Sequence, residues 1–293
     1  MKKNWRQSMK ECLVAGLASL WYRLDRRHRE ITRRNLEFAY GPELGLQDRE
    51  RLAREVFRNF ALFAWEMLEL LFAPLPLIRR KVIVLGEENL AAALARGRGV
   101  IAVAAHAGNW EYTVLGYGLK HRPVAVVARE LDHPLGQALA RFFRQRGGNF
   151  LVAKQGGLKE IIGHLRKNRV VGIVIDQNTA EDEGLLVDFF RKEARTTPVA
   201  AILARRLEVP VLPAFSRRLS GGRHLMVILP PLPLEKTRDP GADILGHLQL
   251  QSQAVEAWVR ACPEQWLWLH RRWKNRYPEI YEDSGRGPGA SGR

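Results

Sequence analysis

The chain has 293 residues, 46% hydrophobic and 27% charged, enough to bury a sizeable core as one domain or as one domain with a helical extension. Lys and Arg number 47 against 31 Asp and Glu, a formal charge of +16, which favours polyanionic partners: nucleic acid, an anionic membrane or an acidic protein. Two distant cysteines, Cys12 and Cys262, argue against a disulfide framework and fit a reducing compartment.

In chain order, residues 1–40 are helical in pattern. Within them Cys12–Tyr22 is the most apolar run, flanked by Lys2, Lys3, Arg6 and Lys10 before it and Arg23, Arg26 and Arg27 after it. It falls short of the roughly 18 apolar residues that span a bilayer. No small-residue cleavage site follows, so it reads either as a helix on a membrane surface between cationic anchors or as a helix packed on the protein's own core. Gly41-Pro42 breaks the pattern, and Leu46–Leu71 forms a second long helix. Its apolar residues Val56, Phe57, Phe60, Phe63, Ala64, Met67, Leu70 and Leu71 recur at three and four, the spacing of a core face.

After Ala73-Pro74 the pattern turns to short apolar runs alternating with helices. Strands are predicted at Val82–Leu85, Val100–Ala105, Val124–Ala128, Phe150–Val152, Val170–Ile175 and Val211–Phe215. Helices are predicted at Asn89–Arg96, Trp110–Lys120, Leu135–Arg146, Leu158–Lys167 and Val199–Arg206. Several strands are apolar throughout, as when both faces of a sheet are covered. The fold is therefore read as α/β, a mostly parallel sheet covered by helices, over residues 76–283. Residues 1–75 form an N-terminal helical extension, and the Gly- and Ser-rich stretch 284–293 reads as a disordered tail.

One stretch carries chemistry. Val100–Tyr112 reads as a strand, a tight turn at His106–Asn109 and a helix beginning at Trp110. Across that fold-back the Glu111 carboxylate is expected to reach one ring nitrogen of His106 and leave the other outward as a base for a hydroxyl nucleophile. Gly108 lets the backbone come close to a ligand, and a solvated loop histidine is the plainer alternative. Asp176-Gln177 end the strand V-V-G-I-V-I, at the carboxyl edge where open sheets bind ligands, or else they cap a helix. Arg129 ends another strand and suits an anion. No metal-ligand cluster, dinucleotide or P-loop fingerprint, or G-x-S-x-G elbow is present, so no metal or cofactor is expected.

H-A-G-N-W-E, residues 106–111, resembles the H-x4-(D/E) motif of glycerolipid acyltransferases and, with its Asn and Trp, the late acyltransferases of lipid A biosynthesis. R-R-N-L at 33–36, Arg129 with the following Asp132-His133, Asp176-Gln177, Phe189-Phe190 with Arg195-Thr196-Thr197-Pro198, and P-E-Q-W-L-W-L-H-R-R-W-K at 263–274 follow in the family's order. Arg191 stands where Gly is commoner, which leaves that turn open. The resemblance implies a glycerolipid-acyltransferase-like fold and a His106–Glu111 catalytic pair. It also implies substrate contacts at Gly108, Asn109, Arg129, Asp176, Gln177 and Arg195. An acyl-carrier protein would be the donor and a lipid A precursor or other glycolipid the acceptor, at the cytoplasmic face of the inner membrane rather than on nucleic acid. The alternatives are another acceptor, such as a phosphoglycolipid or lysophospholipid, or a non-enzymatic nucleic-acid or membrane-binding protein. The aromatic and basic residues of 266–274 are expected at the membrane interface, and the stripe on Leu46–Leu71 offers a face able to cover an acyl groove.

Overall fold

The computed structural model describes residues 5–129 and 134–282. The first helical stretch is two helices, α1 (Trp5–Leu24) and α2 (Arg26–Tyr40), because Asp25 interrupts it and caps α2 by accepting the His28 amide. Helix α3 (Leu46–Phe72) runs antiparallel to α1, with Lys10 on Glu69 at 2.7 Å and the Tyr22 hydroxyl on Glu50 at 2.9 Å. Helix α1 is apolar on both sides. Val14, Ala18 and Tyr22 are buried, while Met9, Leu13, Leu17, Leu20 and Leu24 remain 51–72% exposed. No helix among the described residues is long and apolar enough to cross a membrane.

The rest alternates: α4 (Leu75–Lys81), β1 (Val82–Leu85), α5 (Glu87–Leu94), β2 (Val100–Ala104), α6 (Trp110–Lys120), β3 (Val124–Ala128), α7 (Pro134–Gln145), β4 (Phe150–Ala153), α8 (Leu158–Arg166) and β5 (Val170–Val174). A hairpin of β6 (Leu185–Phe189) and β7 (Lys192–Thr196) follows, then α9 (Val199–Leu207), β8 (Val211–Arg218), β9 (His224–Ile228) and α10 (Pro240–Ala261). Seven strands form one sheet in the order β1-β9-β8-β2-β5-β3-β4, parallel at every pair except β8 with β9. The fold is the expected α/β class. Strand β9, the β6–β7 hairpin and helices α4 and α10 go beyond the predicted elements.

Both faces of the sheet are covered. Alternate residues of the central strands divide between them: Ile101, Val103, Val171 and Ile173 lie in one apolar cluster, and Val100, Val170 and Leu212 in the other. The first cluster also holds Leu36, Tyr40, Val56 and Phe57 of the N-terminal helices, so these helices share a core with the sheet. Trp266, Trp268 and Trp273 are fully buried there too. The expectation that these indoles sit at a membrane interface is corrected: segment 263–274 is core, because its rings pack on Phe189, Phe190 and Tyr40. Asn35 ties it to α2 by donating to the Trp268 and His270 carbonyls at 2.7 and 2.8 Å. The predicted tail 284–293 and Asp132-His133 lie outside the described residues.

Candidate active site

Strands β2 and β5 pair in parallel, with Ala104 opposite Val174. Two residues beyond that pair, at the carboxyl edge, His106 and Asp176 stand side by side. One Asp176 oxygen lies 2.7 Å from Nδ1 of His106, and the other accepts the His106 backbone N–H at 2.7 Å. The second oxygen also accepts the Trp266 indole N–H at 2.7 Å. Burial by itself would raise the Asp176 pKa. The facing His106 charge and these hydrogen bonds outweigh it and hold the group below the usual carboxylate range. It is a fixed, ionised acceptor. With Nδ1 so engaged, Nε2 of His106 has no partner among the described residues, and the side chain is 19% exposed.

Glu111 is elsewhere. Helix α6 begins at Trp110 and carries Glu111 toward α7, where Arg144 grips it with Nη2 at 2.6 Å and Nε at 3.0 and 3.2 Å. No hydrogen bond joins it to His106. The expected His106–Glu111 contact is therefore replaced by His106–Asp176, because the parallel register brings the two strand ends together while the helix turns the motif's own carboxylate away.

The turn between them is built tightly. Gly108 has φ +62°, and a Cβ there would lie 2.9 Å from the Ser216 carbonyl oxygen, so glycine is required twice over. Its N–H donates to the Gln265 carbonyl at 2.9 Å. Asn109 is fully buried. Its Oδ1 caps α6 at the Tyr112 amide, 2.9 Å away, and its Nδ2 donates to Glu66 at 2.9 Å. Gly108 and Asn109 thus shape the turn rather than face a substrate. The amides of Trp110 and Glu111, both partly exposed, have no acceptor among the described residues and form the open N-terminus of α6.

The 263–274 segment braces the Asp176 loop from behind. His270 Nε2 accepts the Asn178 amide at 2.9 Å, and burial pushes its pKa down to about 4, so it is neutral. Arg272 is fully buried and donates to the carbonyls of Gln177 at 2.8 Å and Arg195 at 2.6 Å. Burial lowers its pKa to about 10. The Gln177 side chain is exposed beside Asp176. Arg195 is no ligand arm in this arrangement, since its guanidinium binds the Glu181 and Gly184 carbonyls, both at 3.0 Å. Arg129 is exposed at the end of β3, on the same carboxyl edge as His106. The sequence reading missed what Trp266, His270 and Arg272 do. Their motif was legible, but an indole in a sequence does not show whether its N–H meets water or a carboxylate.

Beside the imidazole runs an apolar wall. The Trp110 ring stands edge-on to His106 at 4.9 Å and stacks on Phe63 of α3 at 4.6 Å. Phe60, Met67 and Leu71 continue that side of α3, each partly exposed. Among the described residues no group of His, Cys, Asp and Glu could hold a metal ion. The arrangement can take a proton at Nε2, steady the imidazolium and hold an apolar chain next to it.

Comparison with known proteins matches residues 7–275 to the model of the bacterial lipid A biosynthesis acyltransferase family. The chain is 29% identical to the lipid A biosynthesis lauroyltransferase of Escherichia coli K12, covering 90% of this chain and 85% of that one. It is 26% identical to the palmitoleoyltransferase of the same organism, over 86% and 80% of the two chains. A lipid A biosynthesis acyltransferase of Haemophilus influenzae is 24% identical over 87% and 79%. A match spanning nearly the whole chain, over both the N-terminal helices and the buried tryptophan segment, means that this protein is an acyltransferase belonging to the bacterial lipid A biosynthesis acyltransferase family.

Proposed function

We propose that this chain transfers a fatty acyl group from an acyl-carrier-protein thioester to a hydroxyl of a lipid A precursor or a similar glycolipid. His106 serves as general base and Asp176 as its orienting carboxylate. The observation that carries this reading is the double clamp of His106 by one buried carboxylate, which leaves Nε2 free beside the Trp110–Phe63 wall. An alcohol is far too weak an acid to ionise at neutral pH, so Nε2 takes its proton as the oxygen attacks the thioester carbonyl. The Asp176 charge steadies the imidazolium that forms. The unpaired amides of Trp110 and Glu111, at the positive end of α6, are the donors on offer to the tetrahedral oxyanion. Collapse breaks the C–S bond, and the imidazolium returns its proton to the departing thiolate.

Glu111 and Arg144 hold α6 to α7 at the edge of the site and keep the amide-bearing turn in place. The relatives are named for lauroyl and palmitoleoyl transfer, which supports a fatty acyl donor. The surplus of positive charge suits an acidic carrier protein, whose docking is steered by charge and slowed by salt. The exposed Leu13, Leu17, Leu20 and Leu24 of α1, with Arg23, Arg26 and Arg27 exposed at its end, suit peripheral attachment to the anionic cytoplasmic face of the inner membrane.

The test is reconstitution with acyl-carrier-protein thioester and a 3-hydroxyacyl glucosamine disaccharide, followed by mass spectrometry. The expected product is heavier by one acyl chain, formed more slowly as salt rises at subsaturating carrier. No transfer to a glycolipid hydroxyl, or equal use of acyl-coenzyme A with no salt effect on the carrier-dependent rate, would overturn the assignment.

A further inference from the structure

A charged cluster packed against the His106 turn has no part in the proton transfer itself. Glu66, in the C-terminal half of α3, is 2% exposed. Its carboxylate accepts Arg218 Nε at 2.6 Å and Nη2 at 2.8 Å, and Asn109 Nδ2 at 2.9 Å. Arg218 also binds Asn59 of α3. His224 of β9 lies 3.8 Å from the same carboxylate, its ring stacked on Tyr112 at 4.2 Å. The cluster therefore joins α3, the end of β8 and the first turn of α6.

Burying an ion pair is an inefficient way to stabilise a fold, because desolvating both charges offsets most of their attraction, and an apolar pair of similar volume is commonly as stable. This pair supplies direction. An ionised carboxylate can only accept, and the Arg218 fork leaves it one rigid position. The Asn109 amide must then turn its NH2 toward Glu66, which aims Oδ1 at the Tyr112 amide and closes the cap of α6. The cap in turn sets the direction of the free Trp110 and Glu111 amides.

We propose that Glu66, held by Arg218, is a positioning residue for acyl transfer, fixing through Asn109 the first turn of α6. This rests on the reading of those amides and His106 as the transfer site. Replacing Glu66 removes no group that touches substrate, so its loss should appear in kcat and not in KM.

The experiment uses the full-length protein and three variants: Glu66→Gln, the apolar pair Glu66→Met with Arg218→Met, and Asn109→Ser, which keeps a capping oxygen without the amide. In steady-state assays with the carrier thioester and glycolipid, each should lose about 10- to 100-fold in kcat, the scale of a small misplacement. KM should stay within twofold, and the melting temperature of the apolar pair should be unchanged or higher. Independently of activity, amide hydrogen exchange should quicken in all three at Tyr112 and Thr113, whose amides Asn109 accepts. The proposal is overturned if the apolar pair keeps wild-type kcat. It is equally overturned if kcat falls only as far as the melting temperature does, or if exchange at Tyr112 and Thr113 is unchanged. A wild-type protein inactive on the glycolipid would sink the functional reading, while the exchange data would still decide the role of Glu66.

Discussion

His106 and Asp176 stand seventy positions apart in the chain, yet one carboxylate binds both the backbone N–H and Nδ1 of that histidine, each at 2.7 Å. Two bonds to one residue fix where the imidazole is and which nitrogen carries its proton. Asp176→Asn keeps the shape and removes the charge, and its amide can face Nδ1 with hydrogen and select the wrong tautomer. Turnover should fall by about 10²–10⁴-fold, as should that of His106→Ala. The double variant should be little worse than either, since groups acting as a unit are not additive. Steady-state rates on folded protein check this, and near-normal turnover in Asp176→Asn would leave the base without its partner.

Glu111 calls for a different experiment, because its partner is Arg144. Glu111→Gln should cost less than Asp176→Asn. The reversed pair, Glu111→Arg with Arg144→Glu, should recover part of the rate lost in either single reversal, since a fork can be rebuilt in the opposite sense. A reversed pair as inactive as the single variants would show that the Glu111 charge acts on the reaction directly.

Acid should destabilise the protein in a defined window. Burial pushes the pKa of His224 down to about 4, and the same cause does so for His270. Unfolded, each histidine titrates near 6.5, so between pH 6.5 and 4 the unfolded chain binds more protons and stability rises with pH. Stability should therefore be full above pH 6.5 and fall on acidification toward 4, each group contributing at most about 1.4 kcal/mol per pH unit. Urea unfolding of wild type and His224→Phe at pH 7 and pH 5 tests it. The variant, which keeps a ring on Tyr112, should lose visibly less stability between the two.

The β6–β7 turn places Phe190 and Arg191 at φ +56° and +58°, a conformation that favours glycine. Arg191 is exposed and holds only a surface ion pair with Glu43, worth about 0–1 kcal/mol. Arg191→Gly should thus raise the melting temperature slightly, through relief of roughly 1 kcal/mol of backbone strain. Phe190→Gly relieves the same strain but deletes a ring that is 1% exposed, so it should lower stability by about 3 kcal/mol or more. Thermal melts of the two variants should move in opposite directions.

Membrane attachment should reside in α1 and not in the tryptophan segment. Changing Leu13, Leu17 and Leu20 to Ser together removes exposed apolar surface without touching the buried Val14, Ala18 and Tyr22. Flotation with phosphatidylglycerol vesicles should show that variant largely released, with its melting temperature unchanged. Trp268→Ala should do the reverse, because Trp268 is fully buried: a large fall in stability with binding kept in whatever remains folded. Release by Trp268→Ala without loss of stability would contradict the assignment.

The sequence by itself determined what is local. Apolar runs punctuated by Gly and Pro placed six of the sheet strands and the turn at His106, and the helix at Trp110–Lys120 was legible to the residue. Its motifs, in order, were enough to point to the family. The same local cues were present but unread at α10, where Asp239 caps the helix and Pro240 opens it, and at β9, where the apolar run His224–Ile228 leads into a proline-rich stretch. Only the tertiary structure decided which carboxylate serves His106. Spacing along the chain favoured Glu111, five residues away, but a side chain's partner is set by which strand ends lie side by side. The β2–β5 register brings Asp176 there, while the first turn of α6 delivers Glu111 to Arg144. The indoles of 266–273 followed the same rule. Their composition fits a membrane interface or a core equally well, and packing against the β6–β7 hairpin made them core.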